Sequence, residues 1–479
     1  MRALFSVANR DGIADFARDL AAMNVELHAT PDTLAILAQA GVTAQSVDLG
    51  RASVAGFDIV AANLEPFAPQ VGDRVVPLDE AIAMIDDKTT ALMTAAARNF
   101  ANVAVASGPR HYAQLLEELR TLGSVSAEMR QHLAADALAD VSAYLAEVAG
   151  YLNHLGGTRF PNRLAVVVEK VRDLGYGENP QQQAAFYRET THRSGSLADA
   201  NQLQGDQPTF NDLIDLDAAY RIATDFTAPS CCIVKQANPT GLASDELLVH
   251  AYERALEGDP VSAFGAVVAL NREVDGNTAE ALAGNAYEAI IAPAFTAPAR
   301  EILAEKQRLA LLAVPRHMTQ GLSDYGIARL EFSRVDGGLL VETRDSSEVD
   351  RSQLRVVTKR RPTLEELTDL LFAWRAVRHV TSNAVVLAHH TALVGVGAGQ
   401  ASRLTAVEIA LHKAADRSKL AVLASDAYFP FADAIQLAAE RGVTAIIQPG
   451  GSVRDEMAID VANRHHLAMV FTGKRHYRH

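Results

Sequence analysis

Cysteine is nearly absent from this chain. There are two, Cys231 and Cys232, and they are adjacent. Neighbouring side chains diverge, so the pair forms no disulfide framework, and no C-x-x-C spacing exists for a metal. Such usage fits a reducing cytoplasm. No run approaches the ~20 apolar residues of a membrane span. The opening "MRALFSVANRDGIADFARDL" has no long apolar core, so no signal peptide is expected. Positive charge is also in short supply. Lys and Arg total 44 against 58 Asp and Glu, a formal net charge of −14. That balance argues against nucleic acid or an anionic membrane as a general partner, while leaving room for a local basic pocket. The expectation is a cytoplasmic protein that handles small molecules.

What is present is ordinary α/β material. A length of 479 residues suggests about three domains at roughly 150 residues each. Residues 1–110 alternate short apolar runs ("ALFSVA", "VELHAT", "FDIVAANL") with helical periodicity ("DGIADFARDLAAMN", "PDTLAILAQAG"), which favours a parallel, doubly wound sheet. Residues 111–163 read as a helical connector, broken at "LGGTRFPN". From 164 to 479 the strands lengthen, beginning with "RLAVVVEKV", and amphipathic helices separate them. A weak echo links "SAFGAVVAL…AIIAP" with "SDAYFPFADAI…AIIQPGG" and suggests two similar subdomains.

Several stretches could carry chemistry. In "CCIVKQANPTG" an apolar run meets Lys235, then Gln236 and a turn. "YGENPQQ" (Tyr176–Gln182) is polar and turn-forming. "DPVSAFGA" sets Ser262 and Phe264 beside Gly265, where a ring could flank a flat ligand. "GVGAGQASR" places Gln400 and Arg403 after three glycines, a geometry that lets backbone N–H groups approach an anion or a ring, without being a G-x-G-x-x-G opening. "QPGGSVRD" suits an anion at a helix start, and ordinary capping predicts it about as well. The final "FTGKRHYRH" is a basic cluster behind an apolar strand.

Taken in order, these motifs resemble the bifunctional AICAR transformylase/IMP cyclohydrolase family of purine biosynthesis. The resemblance runs from about Leu174 to His479 and includes "VVTKRRPT", "FAWRAVRHVTSNAVV" and "ASDAYFPF"; the first ~150 residues match more loosely ("NLEPF", "TAAARNF"). It implies an α/β fold made of an N-terminal methylglyoxal-synthase-like domain plus two cytidine-deaminase-like subdomains. It implies formyl transfer from 10-formyltetrahydrofolate, as co-substrate, to the amine of an imidazole-carboxamide ribotide, in a homodimer with sites at the interface. It places Lys235, Gln236 and Asn383 at catalytic positions. Tyr176, Gly177, Asn179, Gln181, Gly241, Arg403, Arg475 and His479 fall at substrate-binding positions. Ser262, Phe264, Gln400, Asp426 and Pro430 fall at folate-binding ones.

The chain departs from the family pattern at several of these positions. The family reads Lys-His where this chain has Lys235-Gln236, and a glutamine accepts no proton at neutral pH. Gly175 stands where the family has a phosphate-binding arginine, and Gln181 where it has a histidine. In the N-terminal domain the phosphate-cradling Thr-Gly-Gly-Thr is "TPDT" (Thr30–Thr33). Pro31 removes an amide donor there, and Asp32 repels an anion. The "KTLHP" segment is missing between "VDLG" and "FDIV"; Glu65 and Arg98 replace a tyrosine and a lysine, and "IDDKTT" replaces "IDIGGP". These departures predict loss of cyclohydrolase activity. They leave three readings of the transformylase half: the family reaction, formylation of a different amine in specialised metabolism, or a silent ligand-binding homologue.

Overall fold

The computed structural model describes residues 1–49, 54–67, 76–190, 195–315, 330–346, 349 and 351–479. The chain divides into two compact units. The first holds residues 1–169, with 189–193 and 319–343; the second holds 170–188, 194–318 and 344–479. Residues 50–53, in the stretch where the sequence lacks the family's lysine-bearing segment, lie outside the described residues.

The first unit is built on a parallel five-stranded sheet in the order β3-β2-β1-β4-β5: β1 (Arg2–Val7), β2 (Glu26–Ala29), β3 (Gln45–Ser46), β4 (Ile59–Asn63) and β5 (Ala104–Ala106). The apolar runs that alternate with helical periodicity become these strands. Helices α1 (Ile13–Ala22), α2 (Pro31–Gln39) and α5 (Tyr112–Leu122) cover one face; α4 (Asp87–Arg98) covers the other, and the short α3 (Leu78–Ala83) precedes α4. Parallel strands need both faces covered, which is why they read as near-continuous apolar runs. The 29-residue helix α6 (Ala127–Leu155) begins at a Ser126 cap and buries residues against both layers. At the start of α2, Thr33 is 1% exposed and its hydroxyl accepts the Val7 N–H at 3.1 Å. A hairpin of β14 (Leu330–Val335) and β15 (Gly338–Thr343) completes the described part of this unit.

The second unit is organised by duplication. Its 12-stranded mixed sheet runs β16-β21-β20-β19-β17-β18-β10-β9-β11-β12-β13-β8. One half holds β8 (Asn201–Gln204), β9 (Ser230–Lys235), β10 (Asn238–Ser244), β11 (Ala266–Leu270), β12 (Tyr287–Ala292) and β13 (Ala310–Ala313). The other holds β16 (Arg355–Val356), β17 (Val385–His389), β18 (Ala392–Gly397), β19 (Val422–Ser425), β20 (Ala445–Gln448) and β21 (Ala468–Phe471). Counted outward from the antiparallel β10–β18 junction, the two halves have the same pairing sense at every step. The helices repeat too. Helix α7 (Phe210–Thr224) precedes β9 as α11 (Leu364–Val377) precedes β17, and α8 (Leu248–Leu256) follows β10 as α12 (Arg403–Ala414) follows β18. Helices α9 (Gly276–Ala283) and α10 (Ala297–Leu303) correspond to α13 (Asp433–Glu440) and α14 (Asp455–Arg464). The two "AII" runs fall on equivalent strands, β12 and β20, but the segments before them do not correspond: "SAFGAVVAL" runs into β11, whereas "SDAYFPFADAI" follows β19.

The remaining strands of this region, β6 (Val168–Leu174) and β7 (Ala184–Glu189), form a separate hairpin. The strand expected over 163–171 begins only at Val168. Its side chains are mostly exposed, so burial does not extend it backwards.

Two core layers flank the large sheet. Cys231 packs into one and Cys232 into the opposite one, the divergence that period-two geometry requires. Burial drives both thiol pKa values upward. Between α7 and α11, the Asp225 carboxylate receives Arg378 at 2.5 Å and His379 Nε2 at 2.9 Å. Burial by itself raises the Asp225 pKa, but His379 and Arg378 more than offset it and the net shift is down. Burial lowers the His379 pKa, so its neutral ring donates to an ionised carboxylate that Arg378 balances.

Gly241 and Gly395 are each in contact distance of the helix that follows their strand. A Cβ at Gly241 would collide with the Ala255 carbonyl, and one at Gly395 with that of Ala410. Gly241→Ala is expected to cost about 2–3 kcal/mol through backbone displacement, read as a lower urea midpoint at unchanged slope.

Candidate active site

The turn between β9 and β10 is the centre of the site. Lys235 pairs with Asn238, leaving Gln236 and Ala237 as a two-residue loop with φ of 55° and 57°. Positive φ at both central positions matches the right-handed twist of a hairpin but is costly for residues other than glycine. The Asp215 carboxylate of α7 compensates, accepting the N–H groups of Gln236 at 3.0 Å and Ala237 at 2.6 Å. Burial raises the Asp215 pKa, and the two amide bonds pull against that shift. Lys235 is half-buried and its ammonium donates to the Phe264 carbonyl at 2.6 Å. A Cβ on Gly265 would meet Glu288 Oε1 at 3.6 Å and Lys235 Nζ at 3.9 Å, so both groups border the same edge. The Gln236 side chain is exposed.

A second cluster surrounds Asn383. Its Oδ1 accepts from Arg403 at 2.6 Å, and its Nδ2 donates to the carbonyls of Gln400 at 2.7 Å and Ala401 at 3.2 Å. Arg403 is 6% exposed and also donates to Asp426, Ser425 and Ala384. Its guanidinium thus stands behind Asn383 and fixes the orientation of that amide. Asp426 is fully buried and accepts the Ser382 hydroxyl at 2.5 Å. The C-terminal segment joins here: Arg478 N–H donates to Ser382 Oγ at 3.0 Å, and Ser382 N–H to the Arg478 carbonyl at 2.9 Å.

Asn238 couples the two clusters. Its Nδ2 donates to the Gln236 carbonyl at 3.0 Å, and its Oδ1 accepts the Thr381 N–H at 3.0 Å. Lys235 and Asn383 are therefore tied to one frame through a single carboxamide.

The other expected residues occupy distinct places. The loop Tyr176–Gln182 is tied to itself: Gly177 N–H donates to the Gln182 carbonyl, and Asn179 N–H to Gln182 Oε1. Asn211, in the first turn of α7, donates to the Glu178 carbonyl at 3.3 Å, so the loop rests on the helix that carries Asp215. Tyr176 and Gln181 face solvent. Ser262 is held by Asp259, which also pairs with Lys413 at 3.0 Å. Phe264 is 72% exposed. Pro430 is exposed between buried Phe429 and exposed Phe431, whose ring carries Arg454 at 4.6 Å. Arg475 lies 4.4 Å from the Tyr477 ring and His479 flanks the same ring. Among the described residues neither is bonded to Lys235 or Asn383.

Two anion readings change in the structure. At "QPGGSVRD" the amides of Gly451 and Ser452 are taken by the Asp455 carboxylate at 2.7 and 3.2 Å, so the helix start supplies its own anion. In "GVGAGQASR", Gly395 and Gly397 admit the α12 backbone, and a Cβ at either would strike it.

Sequence reasoning missed Asp215, and a usable sign of it was present. "Thr-x-x-acid-Leu-x-Asp-Leu" occurs at Thr209–Leu216 and again at Thr363–Leu370. Both copies form capping boxes. In the second copy Asp369 accepts the N–H groups of His390 and Thr391, at 2.8 and 2.7 Å, in a hairpin turn with φ of 50° and 56°. Asp215 and Asp369 stand 154 positions apart, as do Lys235 and His389.

Fold and site together define an α/β protein of two units whose second unit repeats one strand and helix order, with a candidate site at its strand ends. The comparisons with known proteins identify the lineage. A family model described as the AICARFT/IMPCHase bienzyme matches residues 96–413. The bifunctional purine biosynthesis protein PurH of Anoxybacillus flavithermus is 40% identical over 514 residues, covering 100% of this chain and 99% of its own length. The PurH of Sorangium cellulosum is 41% identical over 524 residues with the same coverage. The chain belongs to the AICARFT/IMPCHase bienzyme family. A crystal structure described as ForH aligns with 32% of the chain at 21% identity and a TM-score of 0.28, too low to bear on the fold.

Among the described residues no helix is long and apolar enough to cross a membrane, and no group of three His, Cys, Asp or Glu side chains could hold a metal ion. Asp215→Ala and Asp369→Ala should each cost about 1–3 kcal/mol, because each strands two turn amides. Urea unfolding of both variants checks the equivalence.

Proposed function

We propose that the second unit transfers a formyl group from 10-formyltetrahydrofolate to the amine of 5-aminoimidazole-4-carboxamide ribotide, AICAR, or a close analogue. The observation that carries this reading is the half-buried Lys235 ammonium, fixed on the Phe264 carbonyl and coupled through Asn238 to the Asn383 cluster. An aromatic amine conjugated to a carboxamide is a weak nucleophile. It loses a proton as it attacks the formyl carbon, the tetrahedral oxyanion needs donors, and the folate nitrogen gains a proton as its bond to that carbon breaks. Lys235 is the acid for the departing nitrogen. Asn383 donates to the oxyanion by exchanging its longer, 3.2 Å bond to Ala401. Phe264 offers an exposed face to the flat pterin.

Gln236 does not accept the proton that the family's histidine would take. That task falls to solvent or to the Glu288 carboxylate, which shares the Gly265 edge with Lys235. In this reading residues 164–479 are two cytidine-deaminase-like subdomains, 111–163 is the connector, and 1–110 is a methylglyoxal-synthase-like domain. The enzyme is a cytoplasmic homodimer with sites at its interface. The N-terminal domain no longer closes the inosinate ring: Pro31 lacks an amide hydrogen, Asp32 adds a negative charge, and the Thr33 hydroxyl is spent on Val7.

Gly175 supports a second reading, a paralogue that formylates a different and less phosphorylated amine. Loss of formyl donor, followed on the purified chain with AICAR and then with other amines, separates the two. Turnover with AICAR is the expected result. Turnover only with another amine favours the paralogue, and binding without turnover makes the chain a silent homologue. Gln236→His should raise the AICAR rate by about 10²-fold by restoring a base, and Lys235→Ala should lower it by at least ~10²-fold. Incubation of the formylated ribotide with the protein should yield no inosinate above the uncatalysed background.

A further inference from the structure

Asn383 stands in a closed ring of bonds that its own chain neighbour completes. Its Oδ1 accepts from Arg403, and the same guanidinium donates to Asp426 Oδ1. Asp426 Oδ2 accepts the hydroxyl of Ser382, the residue before Asn383. The directions are fixed by the groups themselves. A guanidinium only donates, so the Asn383 atom that faces it is the carbonyl oxygen. The amide nitrogen points the other way, toward the Gln400 and Ala401 carbonyls, which only accept. Asn383 is thus held at its side-chain oxygen by Arg403 and at its backbone by Ser382. Both supports lead to one carboxylate, Asp426, which is 0% exposed.

The C-terminal segment fixes the Ser382 end of the ring. Arg478 N–H donates to Ser382 Oγ at 3.0 Å, and Ser382 N–H donates back to the Arg478 carbonyl at 2.9 Å. A backbone N–H has no lone pair to offer. The Ser382 oxygen therefore accepts there, and its own proton is left for Asp426 Oδ2 at 2.5 Å. His476 N–H donates to the Asp426 carbonyl at 3.0 Å, so residues 476 and 478 touch both partners of that bond. The Arg478 guanidinium donates to the His379 carbonyl at 2.5 Å. The duplicated frame shows that a strand entry of this kind forms without the ring. At the 154-residue offset, Thr381-Ser382-Asn383 corresponds to Thr227-Ala228-Pro229. The first copy keeps the threonine and enters β9 with neither the hydroxyl nor the carboxamide. Ser382 and Asn383 are present together in one copy and absent together in the other.

We propose that Ser382 is a positioning residue for formyl transfer that acts through Asn383, with residues 476–478 as the strap that aims its hydroxyl. The proposal rests on the formyl-transfer reading, in which Asn383 Nδ2 donates to the oxyanion. A donor of that kind contributes through being oriented before the charge develops. Removing the Ser382 hydroxyl takes one bond from Asp426 and one from the Arg478 N–H. Arg403 then orients the Asn383 amide alone.

A double-mutant cycle on the full-length protein, with 10-formyltetrahydrofolate and AICAR, tests this. Ser382→Ala should lower kcat about tenfold while KM for either substrate stays within about twofold. Ser382→Thr, which keeps the hydroxyl, should restore most of the rate. Asn383→Ala should lower kcat by ~10²-fold, and the double variant should be no slower than Asn383→Ala. Wild-type kcat in Ser382→Ala, or a tenfold loss that persists on the Asn383→Ala background, overturns the proposal. A wild-type protein that turns over no amine overturns the formyl-transfer reading instead, and amide hydrogen exchange then decides the positioning. The Ser382 and Asn383 amides donate to the Arg478 and Gln400 carbonyls. In Ser382→Ala, exchange across residues 381–384 should accelerate at least about tenfold while β17 stays protected. Unchanged exchange there, or equal loss of protection throughout β17, overturns the proposal whether or not the wild type is active.

Discussion

The carboxylate of Asp215 on the β9–β10 turn is the contact from which the site is built. Gln236 and Ala237 adopt left-handed backbone that costs ~1–2 kcal/mol per residue without glycine. Two amide bonds to one carboxylate make that backbone worthwhile and set its orientation. Once the turn is fixed, Lys235 leaves the strand at a defined angle and reaches the Phe264 carbonyl. Asn238 then spans from Gln236 to Thr381, and so to Asn383. Every later link depends on a turn that the local sequence would not choose unaided.

The same device occurs twice, and the comparison separates scaffold from chemistry. Asp369 holds the His390–Thr391 turn as Asp215 holds Gln236–Ala237. The close helix approaches at Gly241 and Gly395 also recur. What differs is the side chains the frame displays. One turn offers a lysine and a glutamine, the other two histidines. The position equivalent to Asn383 is Pro229, which has neither an amide side chain nor a backbone N–H. The two copies share the turn hydrogen bonds made to backbone and differ in the side chains at the strand ends.

The elements whose information is local were readable in the sequence. The apolar run that becomes β9 and ends at Lys235, and the "AII" runs that become β12 and β20, follow from patterns a few residues long. Partners far apart in the chain were not. Arg403 and Asn383 are 20 positions apart and both looked ready to meet a ligand, yet they meet each other, with Asp426 behind them. His476 finds Asp345 across 131 positions. A residue's type announces that it can bond, while the fold decides whether protein or solvent receives it. The Asp215 clamp lay between these extremes: invisible in one copy, recoverable from the repetition.

That division bears on Gln236. The turn uses this residue's backbone twice, its N–H toward Asp215 and its carbonyl toward Asn238, and leaves the side chain exposed. A substitution there changes proton chemistry without loosening the frame. Arg403 is different, because its donors support Asn383, Asp426 and the strand end together. A chain drifting without constraint would lose buried, multiply bonded residues such as Arg403 as readily as exposed ones. Here the buried network is intact, and the departures from the family pattern at Gly175, Gln181 and Gln236 all fall on exposed residues.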